Sequence, residues 1–511
     1  MTDFTAYSAT LHPIVKLEDD YNNILDHALE KPFTYLIRNN SGTYEAIDGH
    51  TGKIADSNAT LNTLVTAMLG VMTSGTLYLK EVAFDLTLLA LIPADVRVVC
   101  SYGEEYYEYI NTADSAGSPF YVNTGVGVNN GYYIVSDAKN RICYASANFS
   151  TLVNSIIAAD VNIYVSPTLT ATLTAPIVFN VNNVTISGGL DGQVGATLTS
   201  TGQIFIIGSA AGSASINING FNLVGDGTNV AVTAGRNGFY TQAVTVSNCK
   251  ISIFLTAVDS DLSNYLVVRN NWFINVQNGV WLRSSTSNDA VIDGNQMEGA
   301  NYTGNPGNGV TISAQGVDVT NNHIRLFITG IMVYKSQNTI SNNLVDANKI
   351  GIELQGALAK ANTVLNNIAH YCSVAGIFLY QGACSNMIVG NDVSECGWDA
   401  PGTNANLILV DGCNNNVISG GVSSYLGLWL VGGVPTNVAQ YGIKIDACSN
   451  NVIMNYQAND NLGYGIYLVG AATNNVFIGI VADGNGTADF DNNSGATNKI
   501  NLSYINGVWT P

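Results

Sequence analysis

Residues 351–355 read Gly-Ile-Glu-Leu-Gln, and 25 positions later residues 376–380 read Gly-Ile-Phe-Leu-Tyr. One slot of a repeated phrase thus holds an acid in one copy and an aromatic ring in the next. A carboxyl group set among apolar and aromatic side chains has its pKa raised, which suits a general acid. Hydrolysis of a glycosidic bond needs two carboxyl groups, about 5 Å apart for retention or about 6.5 to 9.5 Å apart for inversion. Glu353 is the candidate acid. Its candidate partners are Asp411, two repeats further on, and Asp399 or Glu395 in an inserted segment. Asp446, three repeats on, is too far away to share one bond. Eliminative cleavage makes other demands: a cation or Ca²⁺ beside the sugar carboxylate, and a base such as Lys, Arg, Tyr or His. Arg283, Lys335, Lys444, Tyr334 and Tyr380 are available for that role, scattered over several repeats.

The element that positions these residues is the repeat itself. Gly279, Gly309, Gly330, Gly351, Gly376, Gly442 and Gly465 each open a short apolar strand of the form Gly-Ile-x-Leu, and Asn406 opens one more. A second strand follows each, ending in an Asn-rich turn, as in 338–343 and 362–367. So short a unit, with alternating strands and no helix between them, cannot bury its own apolar face and must stack on its neighbours. The expected fold is all-β, a parallel β-solenoid with successive strands about 4.8 Å apart. Asn322, Asn343, Asn367 and Asn391 occupy one slot, where an amide can bond the turn backbone of the next coil. Cys384, Cys413 and Cys448 precede such Asn residues and are expected as small residues stacked on adjacent turns.

Alternation then orients the strand. With Ile and Leu inward, the x residue must point out. The outward column reads Trp281, Thr311, Met332, Glu353, Phe378, Ile408, Lys444, Tyr467, and the next one Arg283, Ser313, Tyr334, Gln355, Tyr380, Val410, Asp446, Val469. Aromatic rings interleaved with acids, amides and cations favour carbohydrate, because rings stack on sugars and fixed polar groups bond hydroxyls. The substrate-binding set expected here is Trp281, Arg283, Tyr334, Gln355, Phe378, Tyr380, Trp398, Lys444, Asp446 and Tyr467. The longest insertions, around 297–308, 395–406 and 422–441, all precede this strand and would wall a groove, with Tyr302, Trp398 and Trp429 on the walls. His323 and Arg325 follow the Asn turn and lie around the corner from the groove, whereas His370 could approach it.

Gly-Ile-x-Leu followed by Asn-x-[Val/Ile]-x-x-Asn, with an Asn ladder at the turn, resembles the right-handed parallel β-helix of the pectin-lyase-like superfamily, from about Val184 to Leu502. The resemblance implies a carbohydrate-active protein: a polysaccharide lyase, a polygalacturonase-type hydrolase, a uronan epimerase, or a non-catalytic glycan-binding tailspike, fibre or adhesin, such spikes being homotrimers. The family's consecutive Asp pairs on this strand, its Trp-x-Asp-His type motif and its Arg-x-Pro-x-x-Arg motif have no match, so neither hydrolase nor lyase is assigned by motif. Ser146–Leu173 is similar to the capping helix and first strand of such helices. Ser57–Leu86 looks like a second copy of that entry module, Leu77-Tyr78-Leu79 aligning with Ile163-Tyr164-Val165. The expected domains are an N-terminal lead over 1–43, a small β-rich lobe over 44–132, and the β-helix over 133–511. The acidic, Tyr-rich stretch from Tyr102 is the join.

Bulk composition excludes other classes. Of 511 residues 47% are hydrophobic and 11% charged, with 52 Gly and 10 Pro, which suits β-structure with many tight turns. Acidic residues number 37 against 18 basic ones, a formal charge of -19, which argues against nucleic acid or anionic membrane as partners. No apolar run spans a bilayer and no signal peptide shows at the start, which fits a virion protein released by lysis; the resemblance implies an extracellular or virion-surface location. The eight Cys include no C-x-x-C pair, against zinc and against a disulfide framework. The loop from Asp483 alternates oxygen-bearing side chains and makes Ca²⁺ conceivable, but Ala488 and Ser494 break the EF-hand pattern.

Overall fold

The computed structural model describes the chain from residue 33 onward except 81–87, 89–90, 94, 103–104, 111–131, 136–139, 144–148, 166, 168, 190–193, 209–212, 236–239, 285–288, 301–306, 398–404, 425–440, 495–496, 502, 506 and 511. It divides into two units, Met1–Ala145 and Ser146–Pro511.

The first unit is built on a six-stranded sheet. Tyr35–Asn40 and Thr43–Asp48 form an antiparallel hairpin, followed by Ile54–Asn58, the helix Leu61–Val71 and the strand Ser74–Lys80. The lobe therefore starts before residue 44: its first strand belongs to the expected lead, because hairpin pairing ties Tyr35–Asn40 to Thr43–Asp48. At the other end the hairpin of Tyr132–Val135 and Asn140–Cys143 falls on the lobe side of the division, past the expected boundary at 133. Leu64 and Val65 of the helix and Leu77 and Leu79 of the strand are buried, as are their counterparts Val153, Ile163 and Val165 in the second unit.

The second unit is a parallel β-solenoid. A typical coil runs through three short strands, for example Thr339–Ser341, Leu344–Asp346 and Ile350–Gln355, each paired in parallel with its counterpart one coil on; in the coil of Met387–Val389 the second strand is reduced to a bridge at Asp392. We call these the first, second and third sheets. The third, the Gly-Ile-x-Leu sheet, has thirteen strands. The helix Phe149–Ile156 covers the first coil, where Asn154 donates to the Pro176 carbonyl and accepts from the Val178 N–H at 2.9 and 2.8 Å.

Buried amides hold the corners. Asn271, Asn295, Asn322, Asn343, Asn367 and Asn391 form one ladder, in which backbone N–H and side-chain Nδ2 both donate to the Oδ1 of the next Asn. A second ladder runs Asn338, Asn362, Asn386, Asn416, Asn451, Asn475 along the corner after the third sheet. Each amide meets backbone groups that the corner would otherwise leave unpaired. A third corner explains the glycine of the repeat: a Cβ on Gly442 or Gly465 would lie 2.8 or 2.6 Å from the Nδ2 of Asn461 or Asn485. Asn406, in the glycine slot, instead turns its amide inward, accepting from Cys396 N–H and donating to Asn461, both at 2.9 Å.

Candidate functional site

Cα register in the third sheet places Trp281, Thr311, Met332, Glu353, Phe378, Ile408, Lys444 and Tyr467 in one outward column, as alternation requires. The column extends to Asp259 below Trp281 and Asp491 above Tyr467. A further column three residues earlier shares this face, as the contact of Thr329 with Glu353 and the stacking of Tyr441 and Tyr464 on Tyr467 show. It carries Asn308, Thr329, Ile350, Ala375, Ala405, Tyr441 and Tyr464. Alternation alone does not reveal this column.

Glu353 is 5% exposed although it points out of the solenoid. Met332 and Phe378 flank it on its own column, and Thr329 Oγ1 stands 3.4 Å from its Oε2. Burial pushes its pKa from 4.5 to about 7, against the hydroxyl of Thr329, which favours the charged form. Tyr334, on the adjacent column, is itself pushed up by burial and by the Glu353 charge. Among the described residues the column neighbours of Glu353 supply no second carboxyl. Phe378 and Tyr380 lie stacked beside it with centroids 5.4 Å apart, and Gln355 reaches Gln381 at 3.3 Å.

The expected partners of Glu353 lie elsewhere. Asp411 is exposed, on the turn after its strand with φ 59°, one residue beyond the last outward position, Val410. Two coils away and off the columns, it does not share the Glu353 slot. Glu395 is buried at the corner that precedes the third sheet, where its charge raises the pKa of Tyr371 behind the larger effect of burial. Asp399, Trp398, Tyr302 and Trp429 lie outside the described residues.

The remaining binding candidates fall into two groups on this face. At one end Arg283 Nε donates to Asp259 Oδ1 at 2.6 Å, and its Cζ sits 3.7 Å from the centroid of the Trp281 ring. Asp259, 1% exposed, lies in a strand without the Gly-Ile-x-Leu pattern, and its pairing with Trp281 is what brings it to the face. At the other end Tyr441, Tyr464 and Tyr467 stack with centroids 4.9 to 5.7 Å apart over a cluster that includes Ala375, Ala405 and Ile408. Lys444 Nζ lies 3.9 Å from Asp446 Oδ2 in the same group.

His323, Arg325 and His370 lie on the second sheet, so His370 joins the other two around the corner from Glu353. The Asp483 loop uses its oxygens internally: Asp489 Oδ1 accepts from the N–H and Nδ2 of Asn485 at 3.0 and 2.7 Å. Among the described residues no group of three or more His, Cys, Asp or Glu stands ready to hold a metal ion. The described residues likewise include no helix long and apolar enough to cross a membrane.

A family model described as a right-handed beta helix region matches residues 268–422. Among solved structures, the A-module of the mannuronan C-5 epimerase AlgE4 from Azotobacter vinelandii is similar at TM-score 0.44 and 11% identity, over 66% of this chain and 90% of that one. The DFA-IIIase of Arthrobacter chlorophenolicus A6 gives TM-score 0.44 and 12% identity over 65% and 91% of the two chains. The Dettilon tailspike protein gives 0.45 and 15% over 70% and 65%. No curated protein sequence matches the chain.

Proposed function

We propose that this right-handed parallel β-helix is one of the pectin-lyase-like superfamily, that it binds a polysaccharide along the outer face of its third sheet, and that it cleaves it there with Glu353 as the general acid. One observation carries the reading. A carboxyl group that burial holds protonated up to about pH 7 sits mid-column on a face of stacked rings and amides. General acids work best with a pKa near the working pH, and aromatic faces take the apolar sides of sugars.

In this reading Phe378, Tyr380 and the tyrosines at 441, 464 and 467 hold sugar rings, while Gln355, Arg283, Lys444 and Asp446 bond hydroxyls. Glu353 gives its proton to the departing glycosidic oxygen. A second carboxyl takes the proton of the attacking water; with Asp411 and Glu395 placed elsewhere, Asp399 in the inserted segment is the remaining candidate. Product analysis on a panel of neutral and uronic polysaccharides tests the proposal, with Glu353→Gln in parallel. New reducing ends without the absorbance of unsaturated sugars, lost in the variant, are expected. Unsaturated products that persist in the variant would mean a lyase and remove Glu353 from the chemistry.

A second reading is favoured by the lack of another carboxyl beside Glu353 among the described residues. In it the same face holds glycan without cutting it, and the chain is a fibre or tailspike-like protein, a homotrimer exposed outside the cell or on a virion. Retention on a polysaccharide with no products, together with a trimer in sedimentation equilibrium, is the outcome that favours it.

A further inference from the structure

We infer that the glycan taken by this face is uncharged, built of neutral or N-acetylated sugars rather than uronic acids. The inference rests on the reading that the face binds glycan, and it is carried by how cations are placed there.

A polyuronate bears one carboxylate on every ring. Laid along the solenoid axis, where rungs are about 4.8 Å apart, it would set roughly one negative charge beside each rung. Holding it takes cations free to meet those charges, preferably guanidinium forks. The two cations on the outward columns are already engaged. Arg283 is bonded to buried Asp259 at 2.6 Å and lies over Trp281, and Lys444 faces Asp446 at 3.9 Å. Lys335 stands on the turn beyond Tyr334 and Lys349 just before Ile350, both at the edges of the columns rather than on them. The columns also carry Glu353 and Asp491, so their balance is acidic. Residues 299–307, 396–404 and 425–440, which lead into strands of this sheet, contain no Lys, Arg or His, and a single acid, Asp399. A chain charge of -19 adds general repulsion of a polyanion. What the face does offer is rings, amides and hydroxyls, together with an arginine whose partner cancels its charge but leaves its remaining N–H groups as donors. These groups bind hydroxyl and acetamide.

The substrate class also selects the reaction. Eliminative cleavage removes a proton made acidic by an adjacent sugar carboxylate, which a neutral glycan lacks. Hydrolysis remains. The proton of Glu353 goes to the glycosidic oxygen, the bond from that oxygen to the anomeric carbon breaks, and water oxygen bonds that carbon and releases its proton to a base. One chain ends in a free hydroxyl and the other in a new reducing end.

Affinity electrophoresis of the full chain tests the inference, using gels cast with neutral polysaccharides (mixed-linkage glucan, galactomannan, dextran, glycol chitin) or polyuronates (alginate, polygalacturonate), at low and high salt. Retention by at least one neutral polymer, changing less than about twofold with salt, is expected, because uncharged contacts are little screened. Asp446→Asn, which frees Lys444, should raise migration delay in the polyuronate gels at low salt. Retention by polyuronates alone, weakened by salt in the parent protein, would overturn the neutral class while leaving the glycan-binding reading intact. No retention in any gel would overturn both.

Discussion

Two faces of the same solenoid carry acids, and Glu353 on the third sheet is treated unlike the acids of the second, even though Asp259 and Asp446 on its own face also lie beside basic side chains. On the second sheet acids stand beside basic side chains: Asp346 lies 2.7 Å from His323, Asp392 lies 3.1 Å from His370, and Glu298 lies 3.0 Å from Arg325. On the third sheet Glu353 is buried, and among the described residues the Thr329 hydroxyl is the one hydrogen-bond partner of its carboxyl. The pKa directions follow. Burial would raise the carboxyl of Asp392, but the nearby His370 ring and the hydrogen bond from Ser394 outweigh it and hold the carboxyl below its usual value. Burial of Glu353 meets too little opposition and lifts the carboxyl to about 7. A paired acid secures a surface, whereas an unpaired buried acid is a stored proton.

The contrast can be broken most severely at Glu353. Glu353→Gln keeps the shape and removes the transferable proton, so cleavage should fall by about 10²- to 10⁴-fold, the usual worth of a general acid, while glycan retention survives. Reducing-end assays beside affinity gels read the two effects separately.

The same variant should gain stability, with a defined pH window. The folded pKa of Glu353 lies above its unfolded value, so ionisation opposes folding as pH rises from about 4.5, and the full penalty is present above about 7. Urea unfolding should find Glu353→Gln more stable than the parent at pH 8 by on the order of 3 kcal/mol, with the gain vanishing below about pH 4.5. Equal stabilities at both pH values would remove burial as the cause of the raised pKa.

Catalysis by the parent should decline tenfold per unit of pH above about 7, because only the protonated carboxyl can donate. A rate that holds level to pH 9 would separate the reaction from Glu353.

The smallest effect belongs to the paired face. Asp392 has a lowered pKa, so its contribution is present above the unfolded value and lost as pH falls through the folded one. Its side chain is 44% exposed and solvent screens the pair. Asp392→Asn should therefore cost less than about 1 kcal/mol at neutral pH and nothing in strong acid. Its sign is opposite to that of Glu353→Gln, and two variants of like sign would erase the distinction between the faces.

Much of this was legible in the repeat. The step between glycines, the alternation of Ile and Leu, and the recurring Asn assign the solenoid, the ladder of Asn322 to Asn391 and the column that holds Glu353, because each depends on local spacing. Three features were not legible. The column of Thr329, Tyr441 and Tyr464 shares a face with residues three positions on, which a strict period of two does not contain. Asp259 reaches the face through a strand, Thr256–Ser260, with no glycine to mark its register. Asp411 reads as a strand residue from spacing, but its left-handed backbone at φ 59° starts the turn and carries it off the face. Counting residues locates a rung well and locates the end of a strand poorly.

The most direct test is a titration of the Glu353 carboxyl itself. Infrared difference spectra of the parent and Glu353→Gln, recorded from pH 4 to 9, isolate the protonated-carboxyl band that the substitution removes. One such band, lost with a midpoint near pH 7, is expected. Loss of that band near 4.5, the ordinary value for a glutamate, would mean that this face stores no proton at neutral pH and would contradict the role given to Glu353.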